Sequence, residues 1–186
     1  MAGGTQRASY GARTSRRQRR SACWKRFDYY KNLSSQFPGH QLRVAYSKAG
    51  NTLAAAVITD RQAIVDHKLY WAPVGSIEEG RYLCAVLNAP CYTVLVEPYQ
   101  SRGAFGPRDF DKYVWVLPVP LFDASDRLHG ALAELGQEAE RVASTVPKPS
   151  RGGFQAHRRL VREALASAGL ATEMDDAVRR LLSSRD

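Results

Sequence analysis

The residues with chemistry to offer stand mostly alone. Of the four histidines, His40, His67, His129 and His157, none lies three or four positions from another. No helical pair of imidazoles is therefore written into the chain for a metal ion. Cys23, Cys84 and Cys91 are odd in number and lack a Cys-x-x-Cys spacing, which argues against a zinc site or a disulfide framework. Cys84 and Cys91 sit among apolar neighbours and read as small core residues. No Gly-x-Ser-x-Gly elbow, no P-loop and no Gly-x-Gly-x-x-Gly turn occurs. His67, in VDHKLYW, is the histidine that most resembles a site residue, yet a lone histidine needs partner groups to do catalysis.

What does recur is basic and amide side chains interleaved with glycine and aromatics, in three blocks. The first holds Lys48, Gly50 and Asn51. The second holds Asp66, His67, Lys68, Tyr70 and Trp71. The third is the stretch QSRGAFGPRDFDK, with Gln100, Ser101, Arg102, Phe105, Arg108, Asp109 and Lys112. Arginine and lysine read guanine edges, while asparagine and glutamine suit adenine. Lysine, serine and backbone amides hold phosphate, and glycine lets a loop backbone approach a duplex closely. An ordinary solvated loop would carry similar residues, so the pattern alone leaves both readings open.

Charge points the same way. The 186-residue chain has a formal net charge of +9, and eight Lys or Arg residues face one acid within the first 30. Within residues 1–31, the first 20 have almost no apolar groups to offset the entropy of ordering. Residues 1–31 read as a disordered basic tail that would meet nucleic acid without sequence preference, or as a stretch unconnected with the folded domain. No apolar run follows those arginines as in a secretory signal, and no stretch of about 18 apolar residues offers a membrane span. The expected compartment is the cytoplasm, and no membrane partner is expected.

The elements that must position these blocks follow from periodicity. Residues 41–47 and 52–59 read as two strands joined at Gly50-Asn51, and 63–65 and 68–72 as short extended pieces. Ser76 with Glu79 forms a capping box ahead of the helix SIEEGRYLCAVLN. Pro90 starts a second helix and Pro98 ends it. Residues 113–122 read as a hydrophobic strand broken by Pro118 and Pro120. Asp123 to Asp126 cap a long helix with Leu128, Leu132, Leu135, Ala139 and Val142 on one stripe. After a linker at 146–153 come helices over about 154–168 and 172–183, broken at Gly169. The expected class is α+β: a small mixed domain at 32–122, then a helical region at 123–186.

Three stretches taken in order, YSKAGNTLAAAVITDRQAIVDHKLYWAPVGSIEEGRYLCAVLNAP, QSRGAFGPRDFDKYVWVLPVPLFD and LHGALAELG, carry a resemblance. The chain from about 30 to 182 resembles the C-terminal target-recognition region of bacterial adenine-specific (N6) DNA methyltransferases of type I and type IIG restriction–modification systems. That resemblance implies double-stranded DNA as partner. It implies a recognition surface built from Lys48, Asn51, His67, Lys68, Gln100, Ser101, Arg102, Phe105, Arg108 and Lys112. The family's cofactor motif and its (Asp/Asn/Ser)-Pro-Pro-(Tyr/Phe) motif are not among these residues. No cofactor is expected in this chain, and S-adenosylmethionine would belong to a catalytic partner subunit or domain.

Three classes remain open at this level. The first is a DNA-recognition module. The second is a small nuclease, which would need paired acids with a lysine that do not stand out. The third is a helical interaction module that docks a methyltransferase subunit, with DNA touched only by the tail.

Overall fold

In the computed structural model, the described residues are 31, 33–37, 39, 42–103 and 106–183; for 102, 103, 106–108, 111 and 112 the backbone alone is described. The chain divides into two units, Met1–Pro38 and Gly39–Asp186. In the first, Ser34–Gln36 form a 3-10 turn. The rest of the basic tail expected over 1–31, Lys31 excepted, lies outside the described residues.

The second unit is α+β, a three-stranded sheet followed by five helices with a short hairpin set between the second and third. Strands β1 (Arg43–Ser47), β2 (Ala55–Ile58) and β3 (Leu69–Pro73) form an antiparallel sheet in the order β2-β1-β3. Helices α1 (Ile77–Asn88) and α2 (Pro90–Val96) follow. A short hairpin comes next, β4 (Ser101–Gly103) with β5 (Gly106–Asp109). Three further helices close the chain: α3 (Arg127–Thr145), α4 (Gly153–Ser167) and α5 (Leu170–Ser183).

Local signals explain most of the boundaries. The Ser76 hydroxyl accepts the Glu79 amide at 3.1 Å, and the Glu79 carboxylate accepts the Gly75 amide at 2.6 Å. This is a capping box whose return bond lands one residue before the cap. Pro90 opens α2 at its first turn, where its missing N–H costs nothing. Pro98 does not end the coil as expected: Glu97–Tyr99 continue it as a 3-10 turn. The Asp126 carboxylate accepts the Leu128 and His129 amides and starts α3. Gly169, at φ +78°, breaks α4 from α5 in the left-handed conformation that glycine adopts without strain.

The strand expected over 113–122 is a correction. Residues Asp111–Trp115 form a 3-10 turn and an irregular run follows. Valines and aromatics give strand composition, but Pro118 and Pro120 lack the N–H that a ladder needs. The Val119 amide instead closes a tight turn onto the Leu117 carbonyl at 2.8 Å. Three aromatic side chains hold this run. The Tyr82 hydroxyl donates to the Pro120 carbonyl at 3.0 Å and the Tyr92 hydroxyl to the Val114 carbonyl at 2.6 Å. The Trp115 indole donates to the Tyr46 hydroxyl at 3.1 Å.

One core runs through strands and helices alike, from Val44 and Tyr46 through Tyr82, Val86, Leu87 and Leu132 to Met174 and Leu181. It does not stop at residue 122. Helix α1 is sandwiched between the sheet and α3. On the sheet side, a Cβ at Gly80 would stand 3.1 Å from the Val57 side chain. On the other side, a Cβ at Gly136 of α3 would stand 2.2 Å from the Arg81 carbonyl oxygen. The glycine is what lets the two helices meet at their backbones. The α3 stripe is spent on this packing. Leu132 is fully buried, and Leu128, Leu135, Ala139 and Val142 pack around the core.

Candidate nucleic-acid interface

The first block lies in the turn between β1 and β2. Gly50 has φ +136° there, and Asn51 is exposed. The arm that leads into β2 is fixed from outside the turn. The Leu53 amide donates to the Thr93 hydroxyl at 3.2 Å. The Asn88 side-chain amide meets both main-chain polar groups of Ala55, at 2.9 Å each.

The second block forms the turn into β3. The Asp66 carboxylate accepts the Lys68 amide at 2.9 Å, and the Leu69 amide donates to the Asp66 carbonyl at 3.0 Å. That hydrogen bond from Lys68 is the main cause holding the exposed Asp66 carboxyl below its ordinary range. The His67 ring lies 3.3 Å from the same carboxylate, and His67 and Lys68 are exposed.

The third block is a twisted hairpin where a loop was expected. Ser101 pairs with Asp109 and Arg102 with Pro107. Between those pairs β5 carries one residue more than β4, and that residue is Arg108. A bulge of this kind bends the strand and increases its twist. Lys112 lies in the 3-10 turn that follows. Phe105 lies outside the described residues. Gln100, expected to be a contact residue, is instead buried at 6% exposure, and its side-chain nitrogen finds no protein acceptor. Its place at the foot of the hairpin suits a supporting residue better than one that reaches DNA. Ser101 is exposed.

The three blocks meet through the main chain of Lys48. Its amide donates to the Lys68 carbonyl at 3.1 Å, and its carbonyl accepts the Phe110 amide at 2.7 Å. Ala49 adds a bridge to Asp109. The Lys48 ammonium lies over the Tyr70 ring, 5.4 Å from its centre. Tyr70 in turn packs on Tyr46, and Tyr46 meets Trp115 edge-on, at 5.6 and 5.8 Å between ring centres. One end of the sheet thus gathers Lys48, Asn51, His67, Lys68 and the base of the hairpin over an aromatic support.

Sequence reasoning missed two arginines. Arg43 reads as one face of an alternating strand, but every residue of β1 is buried. Its guanidinium donates to the Asp60 and Ala63 carbonyls at 2.9 and 2.8 Å and lies over Trp71 at 5.9 Å. It thereby fixes the β2–β3 loop that leads to His67 and Lys68. Arg158, on α4, donates to the Thr52 carbonyl at 3.1 Å, in the turn that carries Asn51. Neither has a sequence signature, because each acts on a main-chain carbonyl far away in the chain.

The remaining groups are structural. The His129 ring accepts the Asp123 amide at 3.0 Å and packs against Tyr82 and Phe122. Burial pushes the Cys84 and Cys91 thiols up to about 12, so neither supplies a thiolate near neutrality. Among the described residues no group of three or more His, Cys, Asp or Glu is placed to hold a metal ion. Nor is any helix among them long and apolar enough to cross a membrane. Comparison with family models, curated proteins and solved structures gives no match.

Proposed function

We propose that this chain is a sequence-specific DNA-recognition module of an adenine-specific DNA methyltransferase or restriction–modification enzyme, acting with a catalytic subunit or domain that carries the methyl-transfer chemistry. The observation that carries the reading is the junction at Lys48. It brings three basic and amide-bearing segments, separated by up to about 60 positions in the chain, to one end of a sheet. A hairpin beside such a cationic edge suits a duplex groove, with lysines on phosphate and hairpin residues on base edges. The methyltransferase assignment itself rests on the sequence resemblance. S-adenosylmethionine belongs to the catalytic partner, and this chain alone is expected neither to bind it nor to methylate DNA.

The test is selection from randomised duplexes by the purified chain, followed by methyl-transfer assays with and without a matching catalytic subunit. Enrichment of one defined site, and methylation at that site only in the mixture, is the expected result. A flat selection profile overturns sequence-specific recognition. Cofactor binding or methyl transfer by the chain alone overturns the division of labour.

A further inference from the structure

The turn that carries Asn51 has two neighbours. The hairpin meets it at Lys48 and Ala49, and α4 meets it at Thr52 through Arg158. Along α4, Phe154, Arg158 and Arg162 recur every four residues and so share one face. Phe154 is 68% exposed, Arg162 is exposed and Arg158 is half-buried.

The charges on this face are not balanced. Arg158 spends one guanidinium nitrogen on the Thr52 carbonyl, and its Nε is buried without a protein acceptor. Burial and then the positive charge of Arg162 hold the Arg158 guanidinium below its ordinary value. The one acid on α4, Glu163, lies 3.6 Å from Arg159. Like charges four apart destabilise a helix, and a half-buried guanidinium with an unused donor calls for an acceptor. A phosphate oxygen supplies both the negative charge and the acceptor.

We infer that α4 forms a second wall of the DNA-binding surface, with Arg158 and Arg162 holding a backbone phosphate beside the Asn51 turn and Phe154 lying against the adjoining sugar. This inference rests on the DNA-recognition reading above, and it adds an element that lies well outside the three basic blocks. The contacts are to the backbone, so α4 contributes affinity and register and leaves base discrimination to the hairpin side.

The experiment is duplex binding against salt concentration by the full chain and four variants: Arg162→Ala, Arg162→Lys, Phe154→Ala and, as reference, Lys68→Ala. Arg162 makes no hydrogen bond or ion pair recorded in the structure, so its replacement leaves the fold alone. Arg162→Ala is expected to weaken binding several-fold for all duplexes alike and to lower the salt slope by about one, as loss of one phosphate contact does. Arg162→Lys keeps the charge and restores most of the affinity. Phe154→Ala weakens binding with the salt slope unchanged. Normal binding by Arg162→Ala, with Lys68→Ala impaired, overturns the α4 wall and leaves the recognition reading standing. A full chain that binds no duplex overturns both. Equal losses on an A-form RNA duplex overturn the assignment of the wall to DNA.

Discussion

Asp175 of α5 accepts the main-chain N–H of Cys91 at 2.8 Å. It caps α2 from 84 positions away, because Ala89, at the N-cap, has no side chain that can accept. The Asp175 main-chain carbonyl also faces the Cys91 thiol at 3.8 Å. Asp175→Ala is expected to lower stability by about 1 kcal/mol, the usual worth of a lost cap. Asp175→Asn, which keeps an acceptor, should recover most of that loss. Urea unfolding of the three proteins checks it, and equal midpoints for all three would show that the cap contributes nothing.

Two glycines of α3 should respond to alanine with opposite signs. At Gly136 the added Cβ would stand 2.2 Å from the Arg81 carbonyl oxygen, and the helices must separate to admit it. Overpacking of this kind costs about 1–3 kcal/mol. At Gly130 a Cβ meets nothing within 4 Å. Alanine there should stabilise by up to about 1 kcal/mol through helix propensity. Thermal unfolding of the pair separates the contact effect from the propensity effect.

The helices were largely legible from sequence and the strands only in part. Ser76-x-x-Glu79, Pro90, Asp126 and Gly169 are local signals whose physics acts within a few residues, and each does its expected work. Residues 113–122 show where composition fails. Valine and aromatic content suits a strand, but a strand also needs a neighbour to pair with. Here Tyr82, Tyr92 and Tyr46 supply single anchors instead of a ladder. The three basic blocks were legible as residues. Their meeting was not, because Lys48 joins them through its own peptide groups, and any residue except proline has the same pair. Gln100 misled for a related reason: an amide before a glycine-rich stretch reads as a contact residue, and burial is not written locally.

The thiols offer a pH test. Cys84 and Cys91 ionise near 12 in the fold, chiefly because burial disfavours the thiolate, against 9.0 for a free thiol. Above pH 9 the unfolded chain releases protons that the folded chain keeps. Stability contributed by these groups is therefore complete below pH 9 and declines as pH rises from 9 towards 12. Denaturant midpoints measured from pH 7 to 10.5 should fall at the upper end, and less so in Cys84→Ala. Site-resolved alkylation at pH 8 should leave both cysteines unlabelled until denaturant is added. Rapid labelling of either in the native protein would contradict its burial.

Lys48 and Lys68 should separate charge from architecture. The main chain of Lys48 makes the junction, so Lys48→Ala keeps both hydrogen bonds and gives up the ammonium over Tyr70, worth about 0.5–1 kcal/mol when exposed. Each alanine variant is expected to melt close to the parent and to lower the salt slope of duplex binding by about one. Deleting residues 1–31 should flatten the slope further while leaving the selected sequence unchanged. A shift in sequence preference on tail deletion, with the slope intact, would assign the tail a reading role instead.

The way the β4–β5 hairpin is fastened has a consequence for how such a surface can be rewritten. Its root is tied by the Ala49–Asp109 bridge and by the bond from the Phe110 amide to the Lys48 carbonyl, both between peptide groups. The Phe110 ring is fully buried beside them. Positions 102–108 take no part in either tie. The hairpin is in effect an exchangeable cassette. Its tip can be randomised or transplanted, and even changed in length, while Gln100 and Phe110 mark the two seams at which the scaffold remains the same. A library confined to those seven positions would leave both of these main-chain ties in place.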